Sequence, residues 1–101
     1  MKSTKYPILI LKRAQDDLRD IRKFYNTQQK DLGIRFLREA KTKIKVLQSN
    51  PLGYQLRYHT VRMVHLSVFP ISIHFEILNE TVIILAVTHT SIDPKKWPMV
   101  G

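Results

Sequence analysis

The sequence predicts an α+β domain, in which an antiparallel pair of helices packs on one face of a mainly antiparallel β-sheet. Apolar residues recur at helical spacing in two neighbouring segments of the first half. The second half either alternates apolar and polar residues or runs continuously apolar, as strands do. With 101 residues, the chain is long enough for one domain, which we take to span residues 1–101. The expected element order is β-α-α-β-β-β.

The chain begins with a short apolar strand over residues 6–12. Pro7 favours an edge position for this strand, because proline lacks the N–H that a central ladder needs. From Arg13 the period becomes helical, and charged side chains fill most positions of the opposite face. The apolar positions of this first helix are Ala14, Leu18, Ile21 and Tyr25.

A second amphipathic helix follows a break at residues 31–33. Its apolar positions are Ile34, Leu37, Ala40, Ile44 and Leu47. Asn50 and Pro51 end it, because a residue before proline disfavours the helical conformation. Two such helices joined by a short loop form an antiparallel hairpin.

The remaining pattern predicts strands over residues 61–69, 71–77 and 81–89, with a hairpin turn at residues 79–80 and an irregular tail from residue 91. The last strand is almost continuously apolar, which is typical of a central strand. The hairpin can cover only one sheet face. We therefore expect Ser72, His74 and Glu76 to lie on the less covered face, where a ligand would bind.

The composition favours a cytoplasmic protein with a polyanionic partner. The formal net charge is +9, and residues 1–50 hold 13 Lys and Arg against 5 Asp and Glu. Such a field attracts nucleic acid, an anionic membrane surface or an acidic protein segment. The absence of cysteine excludes disulfides and thiolate chemistry and suits a reducing cytosol. No apolar run is long enough to span a bilayer, and we expect neither a signal peptide nor a membrane association.

Three residues are candidates for catalysis. Histidine titrates near neutrality, so His74 and His89 could transfer protons, and Arg62 is the one arginine within the predicted strands. An arginine there could bind phosphate or a partner's carboxylate. The four histidines lack metal-ligand spacing, so we expect no metal site and no cofactor.

Candidate partner-binding residues lie on the second helix and in the tail. Several cations of the helix share one face, which could bind an acidic partner or simply be solvated. Trp97 is the only tryptophan; it could pack the tail on the domain or mark a protein contact. The candidates are Arg35, Arg38, Lys41, Lys45 and Trp97.

The order and spacing of short motifs along the whole chain resemble the RelE/ParE toxin superfamily. The matching segments are Ala14-x-x-Asp17-Leu18-x-x-Ile21, Phe24-Tyr25, Gly33-x-x-Phe36-Leu37, Asn50-Pro51, Arg62, Phe69-Pro70, Ile73-x-Phe75-x-Ile77, Ala86-Val87-x-His89 and Pro94-x-x-Trp97. The resemblance implies a helical hairpin on an antiparallel sheet. It also implies a bacterial type II toxin that an acidic antitoxin neutralises, in a toxin–antitoxin hetero-oligomer.

Members of the superfamily differ in their targets. RelE-like members cut mRNA on the ribosome, whereas ParE-like members are regarded as inhibitors of DNA gyrase. The strand arginine of the RelE-like set falls at Ser72 here, and its basic pair falls at His89-Thr90. The resemblance therefore favours a ParE-like, non-enzymatic toxin directed at gyrase. The alternatives are a ribosome-dependent endoribonuclease using His89, His74 and Arg62, and a domain that has lost its toxicity.

Overall fold

A computed structural model describes residues 5–99 and confirms the predicted order of elements, with one additional strand. The elements are β1 (Ile8–Ile10), α1 (Lys12–Gln28), α2 (Leu32–Ser49), β2 (Leu56–Tyr58), β3 (Val61–His65), β4 (Ile71–Leu78) and β5 (Thr81–His89). Short 3-10 turns occupy Pro51–Gly53 and Pro94–Lys96. Neither α1 nor α2 is long and apolar enough to cross a membrane.

The five strands form one sheet in the order β1-β5-β4-β3-β2. β1 pairs with β5 in parallel, and the other neighbours are antiparallel. β1 therefore lies at an edge, as Pro7 indicated, and β5 and β4 lie at the centre. The additional strand β2 forms the other edge.

The helical hairpin covers one face of the sheet, which we call the helix face. Alternate residues of β4, Ile71, Ile73 and Phe75, are buried there together with Phe36 and Leu47 of α2. Burial of each such side chain contributes roughly 1.5–3 kcal/mol. This apolar cluster holds the hairpin on the sheet and orients the opposite face.

Gly33 lets the two helices cross closely. A Cβ at this position would overlap the backbone oxygen of Arg22, and the N–H of Gly33 is bound by the Asn26 side-chain oxygen at 2.8 Å. The connection between the helices is short, and Asp31 within it has a φ of 63°. The predicted break at residues 31–33 thus corresponds to a tight turn.

Asp17 attaches α1 to the central strand β5. Its carboxylate accepts the N–H of Val87 at 2.9 Å, close to a register irregularity between β4 and β5. Burial raises the pKa of Asp17, and the bond from Val87 opposes that shift. The carboxylate therefore fixes the helix position by directional bonding as well as by packing.

The predicted strand over residues 61–69 is too long, because β3 ends at His65. The next residues form a turn, and the N–H groups of Ser67 and Val68 are bound by the Glu39 carboxylate at 2.7 and 3.1 Å. The backbone N–H groups of this turn are therefore bonded to a side chain of α2 and not to a neighbouring strand. The turn brings Val68, which is 71% exposed, beside the basic helix.

Candidate functional site

The sheet face opposite the helices carries Ser72 and His74, and the structure corrects the expectation that this face is open. We call it the tail face. Ser72 and His74 are 1% and 0% exposed. The ring of Trp97 lies 5.6 Å from that of His74, and Tyr58 lies 4.8 Å from Trp97. The C-terminal tail and the unpredicted strand β2 cover this face, whereas Glu76 remains partly exposed.

His74 has hydrogen-bonding partners at both ring nitrogens. Nδ1 lies 3.0 Å from the hydroxyl of Tyr58, and Nε2 lies 2.8 Å from that of Thr88. A neutral imidazole satisfies both contacts by accepting from Tyr58 and donating to Thr88. Burial, aided by the nearby Arg13, lowers the pKa of His74 to about 4. His74 is thus a neutral, bonded group at pH 7.

The hydroxyl of Tyr58 is likewise a structural group. Burial raises the pKa of Tyr58 to about 12, so the phenol stays protonated and can donate to His74. The sequence pattern did not single out Tyr58. It lies on a three-residue strand that is too short to show a period, so only the three-dimensional structure reveals its position.

A second polar group on the tail face joins three strands. His65 Nδ1 lies 2.6 Å from the Ser72 hydroxyl, and its Nε2 lies 3.3 Å from Arg57. Arg57 and His65 are exposed, so they are the accessible part of this face. Arg57 is a further residue that the sequence analysis missed, since it stands in the short strand β2.

Arg62 lies on the helix face, away from His74. It is opposite Phe75 in the β3–β4 register, and consecutive strand residues point to opposite faces. Its Nε donates to the backbone oxygen of Tyr54 at 2.8 Å. Arg62 therefore fastens the segment before β2 to the sheet.

His89 is exposed at the end of β5, on the side of the sheet that carries Ile71. Its Nδ1 accepts the N–H of Ser91 at 3.2 Å and lies 2.7 Å from the Ser91 hydroxyl. It borders an apolar cleft of about 270 Å³. The other residues that line this cleft are Asp20, Ile21, Phe24, Tyr25 and Ile71.

The structure does not bring the three candidate catalytic residues together. His74 is covered on the tail face, whereas Arg62 and His89 belong to the helix side at different ends of the sheet. Proton transfer needs an acid or base within hydrogen-bond reach of the reacting group, with cations beside the developing charge. The chain in this conformation presents no such arrangement of these three side chains.

The basic residues of α2 form an exposed surface. Arg38, Lys41 and Lys45 follow one another at helical spacing, and all three are exposed. Beside them Arg35 and Arg38 border a groove of about 320 Å³, which we call the α2 groove. Its other lining residues are Glu39, Thr42, Val68 and Phe69. This surface combines cations with apolar contact area and can bind an acidic, partly apolar segment.

The helical hairpin on a mainly antiparallel sheet is the fold of RelE/ParE superfamily toxins. The family described as "ParE toxin of type II toxin-antitoxin system, parDE" matches residues 8–94. The chain belongs to this family and is the toxin component of a type II toxin–antitoxin system. No curated protein matches the sequence.

Two solved structures confirm the fold. A chain of the chromosomal ParDE toxin–antitoxin system from P. aeruginosa superimposes with a TM-score of 0.77 at 19% identity, covering 86% of this chain and 98% of the other. A chain of the RelBE2 toxin–antitoxin complex from Mycobacterium tuberculosis has a TM-score of 0.59 at 22% identity, covering 87% and 94%. Both similarities extend over nearly the whole domain.

Proposed function

We propose that this toxin stops growth by binding a macromolecule without breaking a bond in it, and that this macromolecule is DNA gyrase. The family assignment carries the toxin function, because the matched family is that of the ParE toxins. A gyrase target would place the protein in the cytoplasm.

The state of His74 is the observation that most supports a non-enzymatic mode of action. Both of its ring nitrogens have partners, its side chain is 0% exposed, and Trp97 covers it. A base for the 2′-hydroxyl of RNA would need a free nitrogen at the surface. Arg62 has its Nε bonded to the backbone of Tyr54 on the other side of the sheet. His89 is exposed and is bonded through Nδ1 only, but the strand register separates it from both Arg62 and His74.

We further propose that the neutralising antitoxin is acidic and binds the α2 groove in a hetero-oligomer. The cations at this groove are exposed, and Glu39, the one acidic side chain among its described lining residues, is already bound to the turn at Ser67. An acidic segment would thus meet uncompensated positive charge beside Val68 and Phe69. The fold similarity to chains of two toxin–antitoxin systems supports such a partner.

A supercoiling assay tests the target. Purified toxin added to purified gyrase and relaxed plasmid should inhibit supercoiling in proportion to its concentration. His89→Gln alone should retain this inhibition and the growth arrest, and so should the His74→Gln/His89→Gln double variant at a temperature at which circular dichroism shows it to be folded, because neither histidine transfers a proton in our proposal. Removal of a true general base would lower a catalytic rate by roughly 10²–10⁴.

The opposite result would be early cleavage of mRNA on ribosomes while supercoiling stays normal. Loss of that cleavage in the double variant would then identify the toxin as an endoribonuclease. Harmless expression of the folded chain without an antitoxin would also contradict the proposal, because it would indicate a domain that has lost its toxicity.

A further inference from the structure

A small cleft on the tail face is lined mainly by flat side chains. It encloses about 210 Å³. Its lining residues are Tyr58, His59, Pro94, Lys95, Trp97, Pro98 and Met99. We call it the tail cleft. Among the described residues that line it are three rings, two prolines and one cation, and none of these lining residues carries a carboxylate side chain.

The rings of the tail cleft are held in place by contacts with one another and with the buried His74. Trp97 contacts both Tyr58 and His74, and Tyr58 is bonded to His74 at 3.0 Å. His59 stands in a tight turn with a φ of 47°, a conformation that non-glycine residues adopt infrequently. Its ring lies 6.2 Å from that of Tyr58. The cleft is thus preorganised to receive a planar group.

Cations from three separate segments surround this cleft. Lys95 and Lys96 are exposed on the tail, and Arg13 of α1 lies 3.4 Å from the backbone oxygen of Lys96 and 3.7 Å from Asp17. Arg57 of β2 directly precedes Tyr58, lies 3.3 Å from His65 and adds a further exposed cation to the tail face. A positive surface therefore borders the aromatic rings.

Two acidic side chains of the tail and of β4 accept hydrogen bonds from their neighbours. Asp93 accepts the backbone N–H of Lys95 at 3.0 Å, and Glu76 accepts the hydroxyl of Thr60 at 3.0 Å. Neither lines the cleft. Within residues 5–99, Lys95 and Lys96 form no ion pair with a carboxylate, whereas Arg13 lies beside Asp17.

We propose that the tail cleft binds single-stranded nucleic acid, with an unpaired base stacked on Trp97 and Tyr58 and the adjoining phosphates on Lys95 and Lys96. Aromatic platforms beside cations are the general means of binding single strands, and stacking is worth about 1–3 kcal/mol per base. Binding here involves no cleavage, because the nearby His74 has both nitrogens engaged. The inference does not depend on gyrase as the target.

Tryptophan fluorescence provides a direct measurement, since Trp97 is the only tryptophan in the chain. The purified toxin is titrated with an oligothymidylate of about 12 nucleotides, with the corresponding oligouridylate and with a duplex of equal length. Saturable quenching by the single strands is expected, and the duplex should quench less because its bases are not free to stack. A proline-rich peptide is the comparison ligand for an aromatic cleft.

Two double variants remove equal charge from different surfaces. Lys95→Ala/Lys96→Ala should weaken single-strand binding at least fivefold and lower the slope of log K against log salt by about 1.4, because each of the two phosphate contacts on a single strand contributes about 0.7 through counterion release. Lys41→Ala/Lys45→Ala removes two cations from α2 and should change binding less than twofold. His59→Ala tests the rim of the cleft without disturbing the packing of Trp97 and should weaken binding measurably.

Several results would overturn the inference. One is the absence of quenching by either single strand. Another is an equal loss of affinity in the two double variants, which would indicate attraction by net charge alone. Quenching by the proline-rich peptide but not by the oligonucleotides would assign the cleft to a peptide instead. Binding would remain measurable even if gyrase proved unaffected, so this inference and the target proposal can fail separately.

Discussion

The residue His74 demonstrates that burial and hydrogen bonding, rather than residue type, decide what a histidine does. In the sequence it alternates with apolar residues and could be a proton-transfer group on an open face. In the structure it bonds Tyr58 and Thr88 beneath Trp97. A histidine that must stay neutral to keep these bonds links stability to pH.

We predict that acid destabilises the protein through His74. The folded state holds the pKa of His74 at about 4, below the ordinary value of 6.5. The unfolded chain therefore binds the extra proton more readily between these values. The contribution of His74 to the free energy of unfolding is fully present above pH 6.5. It is lost as the pH drops towards 4, and the loss amounts to about 3 kcal/mol in total.

Urea unfolding at pH 7.5 and at pH 4.5 checks this prediction. The stability advantage of the wild type over His74→Gln should shrink at the lower pH. The exposed His89→Gln is the matched control for replacing an imidazole. If the wild type exceeds His74→Gln in free energy of unfolding by the same amount at both pH values, protonation of His74 does not destabilise the folded state.

At the scale of elements, the close crossing of α1 and α2 depends on Gly33. Alanine at an ordinary helical position would be more favourable than glycine by roughly 0.5–1 kcal/mol. Here its Cβ would overlap the backbone oxygen of Arg22, which cannot move without the helix. We expect Gly33→Ala to destabilise the protein by about 1–3 kcal/mol, the usual cost of overpacking.

Gly53→Ala is the control for this substitution. Its Cβ would meet only the side-chain amide of Asn50, which can rotate away. We expect the midpoint of urea unfolding to fall clearly for the first variant and to change little for the second. An unchanged midpoint for Gly33→Ala would mean that the helices can separate without loss of packing.

In the turn between β4 and β5, a glycine would increase the stability of the protein. Asn79 and Glu80 have φ values of 51° and 60°, as in the hairpin turns that favour Asn-Gly. A non-glycine residue in this region costs roughly 1–2 kcal/mol. We predict that Glu80→Gly raises stability by about 1 kcal/mol and the thermal midpoint by about 4–8 °C.

Thr90→Gly serves as the comparison, because φ at Thr90 is not positive. That variant should not gain stability, since glycine adds only conformational freedom to the unfolded chain. A thermal midpoint for Glu80→Gly at or below that of the wild type would contradict the strain argument.

At the scale of the whole molecule, the positive charge is divided between two surfaces. The α2 groove lies on the helical side of the sheet, and Lys95 and Lys96 lie on the tail face. We predict that association with an acidic antitoxin slows as salt rises, because screening weakens steering between exposed charges. Lys41→Ala/Lys45→Ala should slow it more than Lys95→Ala/Lys96→Ala.

Stopped-flow mixing of toxin and antitoxin over a range of ionic strength measures both effects. Association rates that are independent of salt would exclude charge steering. Equal slowing by the two double variants would show that the antitoxin responds to net charge and not to the α2 surface.

The sequence alone determined the helices, the three long strands and their order, because each is periodic over enough residues to predict its own structure. The matching motifs, from Ala14 to Trp97, also identified the superfamily. The strand β2 and the end of β3 were not predictable in this way. Their short segments take their conformation from distant partners, such as Glu39 for the turn after His65.

The state of the candidate site depends on packing between elements that are distant in the sequence. The sequence marked Arg62, His74 and His89 by residue type, yet burial and strand register separate them. It could not assign Arg13, Arg57, Tyr58 and Trp97 to one surface, because they come from α1, β2 and the tail. Local patterns specify which side chains point to the same face of one element. Packing between elements specifies which side chains meet, and so which chemistry is possible.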